Sequence, residues 1–317
     1  MTSANLRSHF IFTKMNSIFT RRLDKQEIVA YIEKCHLSDG GYFFAGIEPS
    51  GGLDTCLAVK TLQLLGEPIR HARSIVKYWE HREATEYFDL DGYYLMDETY
   101  KTLGLLSDFK RSYGEKVIRL LSAQKPLKKR CEPVMGDESE GMLSVMLQSK
   151  AMESQYRASS LSLDLGVPIH IDADEVVAEQ HESGGFGNKE HGSDLVSSYY
   201  VAKILALLSE GPSGGGHVVA LRNYFLRQLE ESQFLESMFY AVDGLCALGV
   251  SVPHPEHLEN YVVFCQKKSG GFGRARELSI PTIEHTFYAI SILRVIYDTL
   301  LSQSIPSGET WTNKNNT

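Results

Sequence analysis

A glycine pair followed by an aromatic residue occurs three times in this chain, at residues 40–42, 184–186 and 270–272. Each copy follows one helical pattern and precedes a second one that is rich in small and aromatic residues. The last two copies are 86 positions apart (270 − 184), or two units of about 43 residues, and a period in this range is typical of stacked helix pairs. The repeat therefore predicts an all-α fold built from helical hairpins.

Helical periodicity and turn residues divide the chain into six such pairs. Gly66, Gly166 and Gly249 are expected to end inner helices, because glycine adopts the left-handed conformation that closes a helix C-terminus. Residues 91–94 are interpreted as a degenerate copy of the repeated phrase. The predicted outer helices span 25–35, 70–79, 115–123, 174–180, 217–229 and 257–266, and the inner helices 53–65, 96–106, 152–165, 194–208, 235–248 and 283–297.

Six similar pairs form either an open solenoid or a closed ring. A solenoid needs polar capping repeats at its ends, whereas here the first and last repeats both keep the full glycine phrase. We therefore predict an all-α α/α barrel (toroid) of about six helix pairs. Residues 24–301 form its single domain, with an N-terminal segment at 1–23 and a polar tail at 302–317.

Composition and charge restrict the possible partners. The net charge of −8 and the pI of about 5.8 argue against a nucleic-acid-binding surface, which needs a basic stripe. Five scattered cysteines indicate a reducing compartment rather than a disulfide framework. The expected location is the cytoplasm. Residues 1–23 contain four basic residues and no acid, so an organellar targeting segment is the alternative to a docked N-terminal helix.

The last pair carries the most specific resemblance to a known family. Gly-Gly-Phe at 270–272, Pro281, and His-Thr-Phe-Tyr-Ala at 285–289 resemble the repeat of protein prenyltransferase β subunits and of squalene and terpene cyclases. Residues 52–66 are similar to an early repeat of the same superfamily. The resemblance implies an α/α barrel whose inner helices line a cavity for an isoprenoid or a prenyl diphosphate.

Alignment of the inner helices on their Ala/Leu pattern predicts two rings of side chains in that cavity. A polar ring near the helix starts suits the head of an amphipathic substrate, and an aromatic ring one turn further in suits a carbocation. For each aromatic side chain, ordinary core packing is the alternative. The polar ring comprises Asp54, Ser154, Ser197, Ser237 and His285, and the next ring Leu57, Tyr200, Tyr240 and Tyr288. The predicted substrate-binding residues are Tyr100, Ser197, Tyr200, Ser237, Tyr240 and Tyr288.

The resemblance to protein prenyltransferases implies a zinc site. Its ligands come from an Asp-x-Cys-Tyr sequence on one inner helix and a His on another, and His285 matches the His. Residues 237–240 read Ser-Met-Phe-Tyr, so Ser237 and Phe239 stand where Asp and Cys are required. Because thiol activation needs several good zinc ligands, no metal cofactor is expected: zinc is disfavoured, and magnesium is left open.

The resemblance to cyclases implies a general acid. Those enzymes protonate an alkene with an Asp at an inner helix start, which must be buried or have a like-charged neighbour to stay protonated. Residues 51–55 read Gly-Gly-Leu-Asp-Thr, so Leu53 stands where the acid of the Asp-x-Asp-Asp-Thr motif would be. A one-residue shift, as in the Asp-Cys-Thr variant of that motif, makes Asp54 the predicted acid. The adjacent Asp97 and Glu98 come next, and His285 is expected to orient the acid or stabilise cations. For each carboxylate, helix capping is the alternative role.

The sequence thus predicts an isoprenoid-binding protein, with metal-independent terpene cyclisation as the leading activity. One alternative is a prenyltransferase β-subunit-like protein with a degenerate zinc site, which requires a helical-repeat α subunit as its partner. The other is a non-catalytic isoprenoid-binding protein on the same scaffold.

Overall fold

The structure is a computed structural model that describes residues 23–123, 139–169, 171, 173–188, 191–208, 215–277 and 280–304, the backbone alone for 139–144 and 301–304. The predicted N-terminal segment and polar tail fall outside these ranges, apart from Leu23 and the end of the last helix. In the described part, helices alternate between an outer and an inner layer. The outer helices are α1 (Lys25–Lys34), α3 (Ala72–Thr85), α5 (Leu106–Ser122), α7 (Ala173–Val177), α9 (Gly216–Glu231) and α11 (Pro255–Phe264). The inner helices are α2 (Gly52–Leu64), α4 (Leu90–Thr102), α6 (Ser139–Leu165), α8 (Leu195–Leu208), α10 (Leu235–Ala247) and α12 (Ile283–Ser304).

The outer and inner helices differ in how much of their surface is buried. Outer helix α5 buries one stripe, Phe109, Tyr113 and Val117 at intervals of four residues, as an amphipathic surface helix does. Inner helix α2 buries eight of its thirteen residues, on several faces. A helix buried on one stripe suits the outer layer, and a helix buried on several faces suits the inner layer that it encloses.

The inner helices contact one another in the cyclic order α2, α4, α6, α8, α10, α12, and α12 packs back against α2. The ring is therefore closed, as the sequence predicted. The repeated glycine turns contribute to this closure, because each turn rests on the next outer helix around the ring. Gly40 lies on Ser74 of α3, Gly184 on Ala220 of α9, and Gly270 of the last repeat lies on Glu27 of α1.

A hydrogen bond from the backbone to a side chain joins each of the three turns to the inner helix that follows it. The aromatic residue after the glycine pair donates its N–H to a hydroxyl in the first turn of that helix. The three bonds are Tyr42 to Thr55 at 2.9 Å, Phe186 to Ser198 at 2.8 Å and Phe272 to Thr286 at 3.1 Å. These bonds thus help to fix which residues of α2, α8 and α12 face the ring interior.

Several element bounds differ from the sequence-based expectation. In the third pair, α5 begins at Leu106 instead of 115 and α6 at Ser139 instead of 152. Inner helix α4 begins at Leu90, six residues before the expected Met96, because the Asp89 side chain accepts a hydrogen bond from the Gly92 N–H and caps the helix there. Residues 91–94 are therefore helical and are not a copy of the turn. No strand was expected, yet β1 (Phe186–Asn188) pairs with β2 (Gly192–Asp194) in an antiparallel hairpin that extends the fourth turn. Among the described residues, no helix is long and apolar enough to cross a membrane.

Candidate active site

The inner helices begin at the same end of the ring, which we call the mouth. An aromatic belt lies about one turn below the starts of α4, α8, α10 and α12, and the longer α6 contributes to it from its C-terminal half. The belt comprises Tyr94, Tyr156, Tyr200, Tyr240 and Tyr288, one residue from each of α4, α6, α8, α10 and α12. Ring centroids of Tyr94 and Tyr156 are 6.1 Å apart, those of Tyr156 and Tyr200 5.8 Å, and those of Tyr240 and Tyr288 6.0 Å. Tyr199 bridges the remaining gap at 5.0 Å from both Tyr200 and Tyr240. On α2, Leu57 holds the equivalent position.

The structure brings Tyr200, Tyr240 and Tyr288 together, as the sequence alignment predicted, and adds Tyr94 and Tyr156. Tyr100 does not join the belt. It packs between the layers against Phe109 and Tyr113 of α5, at 5.9 and 6.4 Å, because α4 begins six residues earlier than expected and Tyr100 lies near its C-terminal end.

Asp54 lies at the mouth, in the first turn of α2. Its carboxylate accepts a hydrogen bond from the Phe44 N–H at 3.3 Å. Burial raises the pKa of Asp54 to about 6; the Phe44 N–H opposes this rise, and the nearby Glu284 of α12 adds to it. At neutral pH a measurable fraction of Asp54 is therefore protonated.

Two other mouth carboxylates, Asp91 and Glu153, pair with cations. Asp91 pairs with Lys150 at 2.9 Å and with Arg157 at 3.2 Å. Burial opposes ionisation of Asp91, but these two cations outweigh it and lower its pKa. Glu153 likewise pairs with Arg157 and accepts the Tyr200 hydroxyl at 3.0 Å.

His285 is held on both ring nitrogens. Its Nδ1 lies 2.8 Å from the Thr282 hydroxyl and its Nε2 lies 3.3 Å from the Glu236 carboxylate. Glu236 also pairs with Arg274. Burial opposes ionisation of Glu236, but hydrogen bonds from His285 and Arg274 outweigh it and lower the pKa. His285 and Glu236 therefore form an anchored pair at the mouth.

These contacts test the zinc site that the resemblance implies. Around His285, the described residues bring together fewer than three potential ligands, since the only such group of three lies elsewhere. Phe239, at the position of the required thiolate, stacks on Tyr288 at 4.5 Å. Arg274 also places its positive charge beside Glu236, the carboxylate that contacts His285. The donor set does not fit a thiol-activating zinc ion.

The predicted serines differ in their surroundings. Ser197 is fully buried; its N–H donates to Asp194 at 2.7 Å and its hydroxyl to Ser149 at 3.3 Å. Ser237 is half-buried beside Glu236. Ser154 was predicted in the same ring, but the belt tyrosine of α6 is Tyr156, so the residue three positions before it is Glu153.

The predicted acid pair, Asp97 and Glu98, does not lie at the mouth. Because α4 begins at Leu90, these residues are in its last two turns, below the belt. Asp97 is fully buried. Burial and the neighbouring Asp164 raise the pKa of Asp97, while Lys101 opposes the rise. Burial opposes ionisation of Glu98, but Lys60 and Lys101 outweigh it and lower its pKa to about 2.

Asp97, Glu98 and Asp164 form the one group of three potential metal ligands in the described part of the chain. The Lys101 ammonium lies 2.5 Å from Asp164, 2.7 Å from Glu98 and 3.7 Å from Asp97. It thus occupies the position that a metal ion would take between these carboxylates. The group is better described as an ion-pair network than as a metal site.

A ring of helix pairs, with an aromatic-lined interior open at the helix starts, defines the class of the α/α toroids. The family model for the prenyltransferase alpha-alpha toroid domain matches residues 2–121 and 217–310, more than half of the chain. The chain therefore belongs to this family. A search of curated proteins finds no match.

Proposed function

We propose that this protein is a metal-independent isoprenoid cyclase in which Asp54 donates the proton that starts the reaction. The proposal is carried by a difference between Asp54 and three other carboxylates at the mouth. Asp91, Glu153 and Glu236 each pair with Lys or Arg, whereas the pKa of Asp54 is raised to about 6, chiefly by burial. A general acid has to hold a proton near the working pH.

The proposed reaction neither gains nor loses atoms. The Asp54 carboxylic acid adds its proton to one alkene carbon of the bound chain, which leaves a carbocation on the adjacent carbon. The next double bond attacks this carbon and closes a ring, and the final cation loses a proton to a base, so that the product is an isomer of the substrate. The faces of the belt tyrosines attract the intermediate cations.

The belt supports this reaction in a second way. It is continuous from α4 to α12, so a flexible chain inside it is surrounded by aromatic faces that exclude water. Water would otherwise capture the carbocation, and its exclusion prevents that side reaction. The donor set around His285, which does not fit zinc, disfavours a zinc-dependent protein prenyltransferase; the prenyltransferase-like alternative with a degenerate zinc site would instead require a helical-repeat α subunit.

The test is product analysis with a panel of acyclic isoprenoids by gas chromatography and mass spectrometry. Replacement Asp54→Asn keeps the side-chain shape and removes the proton, and should reduce product at least about 100-fold. Asp91→Asn is the matched control, because it removes a mouth carboxylate that already pairs with cations, and it should retain product within about tenfold.

Full activity of the Asp54→Asn protein would refute the assignment of the acid. A wild-type protein that binds an isoprenoid and yields no product with any chain would instead support the non-catalytic alternative. Mass spectrometry of lipid extracted from the purified protein separates that outcome from an absence of any ligand.

A further inference from the structure

Below the aromatic belt lies a second set of interior side chains, which we call the charged floor: Lys60, Glu98, Lys203 and Asp243. Lys60 pairs with Glu98 at 2.5 Å, and Lys203 pairs with Asp243 at 3.0 Å. The Tyr199 hydroxyl also donates to Asp243 at 3.0 Å. Asp54 and Lys60 are six residues apart on α2, so the mouth and the floor are separated by about 9 Å along the helix axis.

The charges of the floor meet across the ring interior. Lys60 is on α2 and Lys203 is on α8, two inner helices that are not neighbours. Burial opposes the charged form of Lys203, Asp243 outweighs burial and raises the pKa, and the charge of Lys60 is near enough to oppose that rise. Charges on opposite walls interact in this way only across the interior. Each of the four floor side chains also keeps between 14% and 28% of its surface accessible. A sealed ion-pair plug would leave almost none.

The floor and its adjoining group have no excess positive charge. Lys60, Lys101 and Lys203 are balanced by Glu98, Asp164 and Asp243, and Asp97 adds either nothing or one negative charge. A diphosphate bound here would have to displace carboxylates from the lysines, and leaving buried charges unpaired is strongly unfavourable. An uncharged hydroxyl can accept from an ammonium and donate to a carboxylate without breaking either pair.

We propose that the charged floor selects isoprenoids that end in a neutral oxygen group, such as a prenyl alcohol, over hydrocarbons and over prenyl diphosphates. This inference rests on the proposed function, because it assumes that an isoprenoid occupies the belt. The hydroxyl lies between Lys60 and Lys203 at the floor, the chain passes the belt, and its alkene end lies at the mouth beside Asp54.

Equilibrium binding of three labelled probes to the wild-type protein tests the proposal: farnesol, farnesyl diphosphate, and the hydrocarbon with a methyl group in place of the alcohol carbon. Farnesol should bind at least about tenfold more tightly than the hydrocarbon, as one hydrogen bond to a charged group predicts. It should also bind more tightly than the diphosphate. Equal affinity for alcohol and hydrocarbon, or tightest binding of the diphosphate, would overturn the proposal.

Variants identify the residues responsible. The double replacement Lys203→Met with Asp243→Asn removes one ion pair without changing the net charge and keeps an acceptor for Tyr199. It should reduce the preference for farnesol over the hydrocarbon about tenfold. The matched control, Arg119→Met with Glu115→Leu, removes an exposed pair on outer helix α5 and should leave the preference unchanged.

A second variant keeps the test decisive if the double variant fails to fold. The double replacement Lys60→Met with Glu98→Gln removes the other ion pair of the floor without changing the net charge, so the preference should again fall about tenfold. An unchanged preference in a folded variant would count against the floor. A preference for farnesol without any cyclised product would support the selection of alcohols by the floor and refute the cyclase activity. Efficient cyclisation of the hydrocarbon would support the cyclase activity and refute the selection of alcohols.

Discussion

Ring closure depends on the close approach of the last glycine turn to the first outer helix, and Gly270→Ala tests this directly. Gly270 has φ = +90°, and a Cβ atom there would overlap the backbone carbonyl of Glu27 in α1. Gly249→Ala is the matched control, because Gly249 has φ = +69° and nothing within 4 Å of its Cβ position. Both replacements therefore introduce left-handed strain, and only the first also pushes α1 away.

The left-handed strain costs about 1–2 kcal/mol, and the reduced freedom of the unfolded chain returns about 0.4–1 kcal/mol. Gly249→Ala should therefore lower the free energy of unfolding by about 1 kcal/mol. Gly270→Ala adds overpacking of about 1–3 kcal/mol against a backbone that cannot rotate away, for a total of about 2–4 kcal/mol. Urea unfolding followed by circular dichroism measures both values. Equal losses in the two variants would refute the argument that the last repeat closes the ring on α1.

Three further predictions concern titratable groups. Product formation should decline as pH rises through about 6, because Asp54 must be protonated to act; a rate that rises across this range would contradict its role as the acid. Burial and Asp164 raise the pKa of Asp97, so the folded state holds a proton that the unfolded state releases above about pH 4. The free energy of unfolding should then fall as pH rises above that value. Asp97→Asn should remove this dependence on pH and stabilise the protein at neutral pH. A steeper dependence in the variant would contradict the prediction. His36 stacks on His71 at 3.9 Å, and burial together with that neighbour lowers the pKa of His36. The free energy of unfolding should therefore decrease as pH falls below about 6.5. Urea unfolding of His36→Asn should show a smaller decrease over this range, and an unchanged decrease would contradict the prediction.

The fold was predictable because its signals are local and repeated. The glycine phrase marks three turns, and its presence in the last repeat indicated closure, which the packing of α12 on α2 confirms. The expected start of α4 was wrong because an aromatic pair after Gly92 resembled the repeated turn, while the cap at Asp89 decides where the helix begins. That error also assigned Asp97 and Glu98 to the wrong end of the ring.

For the ring interior, the sequence predicted only those residues of the inner helices that their alignment covered. Steps of three residues from the helix starts gave Tyr200, Tyr240 and Tyr288, and one more step gives Lys203 and Asp243 of the floor. The sequence thus contained a signal for the charged floor. It contained none for the pairing of Lys60 with Glu98, because that contact depends on how α2 packs against α4.

The most direct test of proton-initiated cyclisation is solvent deuterium incorporation into the product. The wild-type protein is incubated with an acyclic prenyl substrate in D₂O, and the product mass is compared with that from H₂O. If the Asp54 carboxylic acid starts the reaction, each product molecule contains one solvent-derived deuterium, and the Asp54→Asn protein makes no such product. A cyclised product without deuterium would show that the reaction begins by another route and would contradict the central claim.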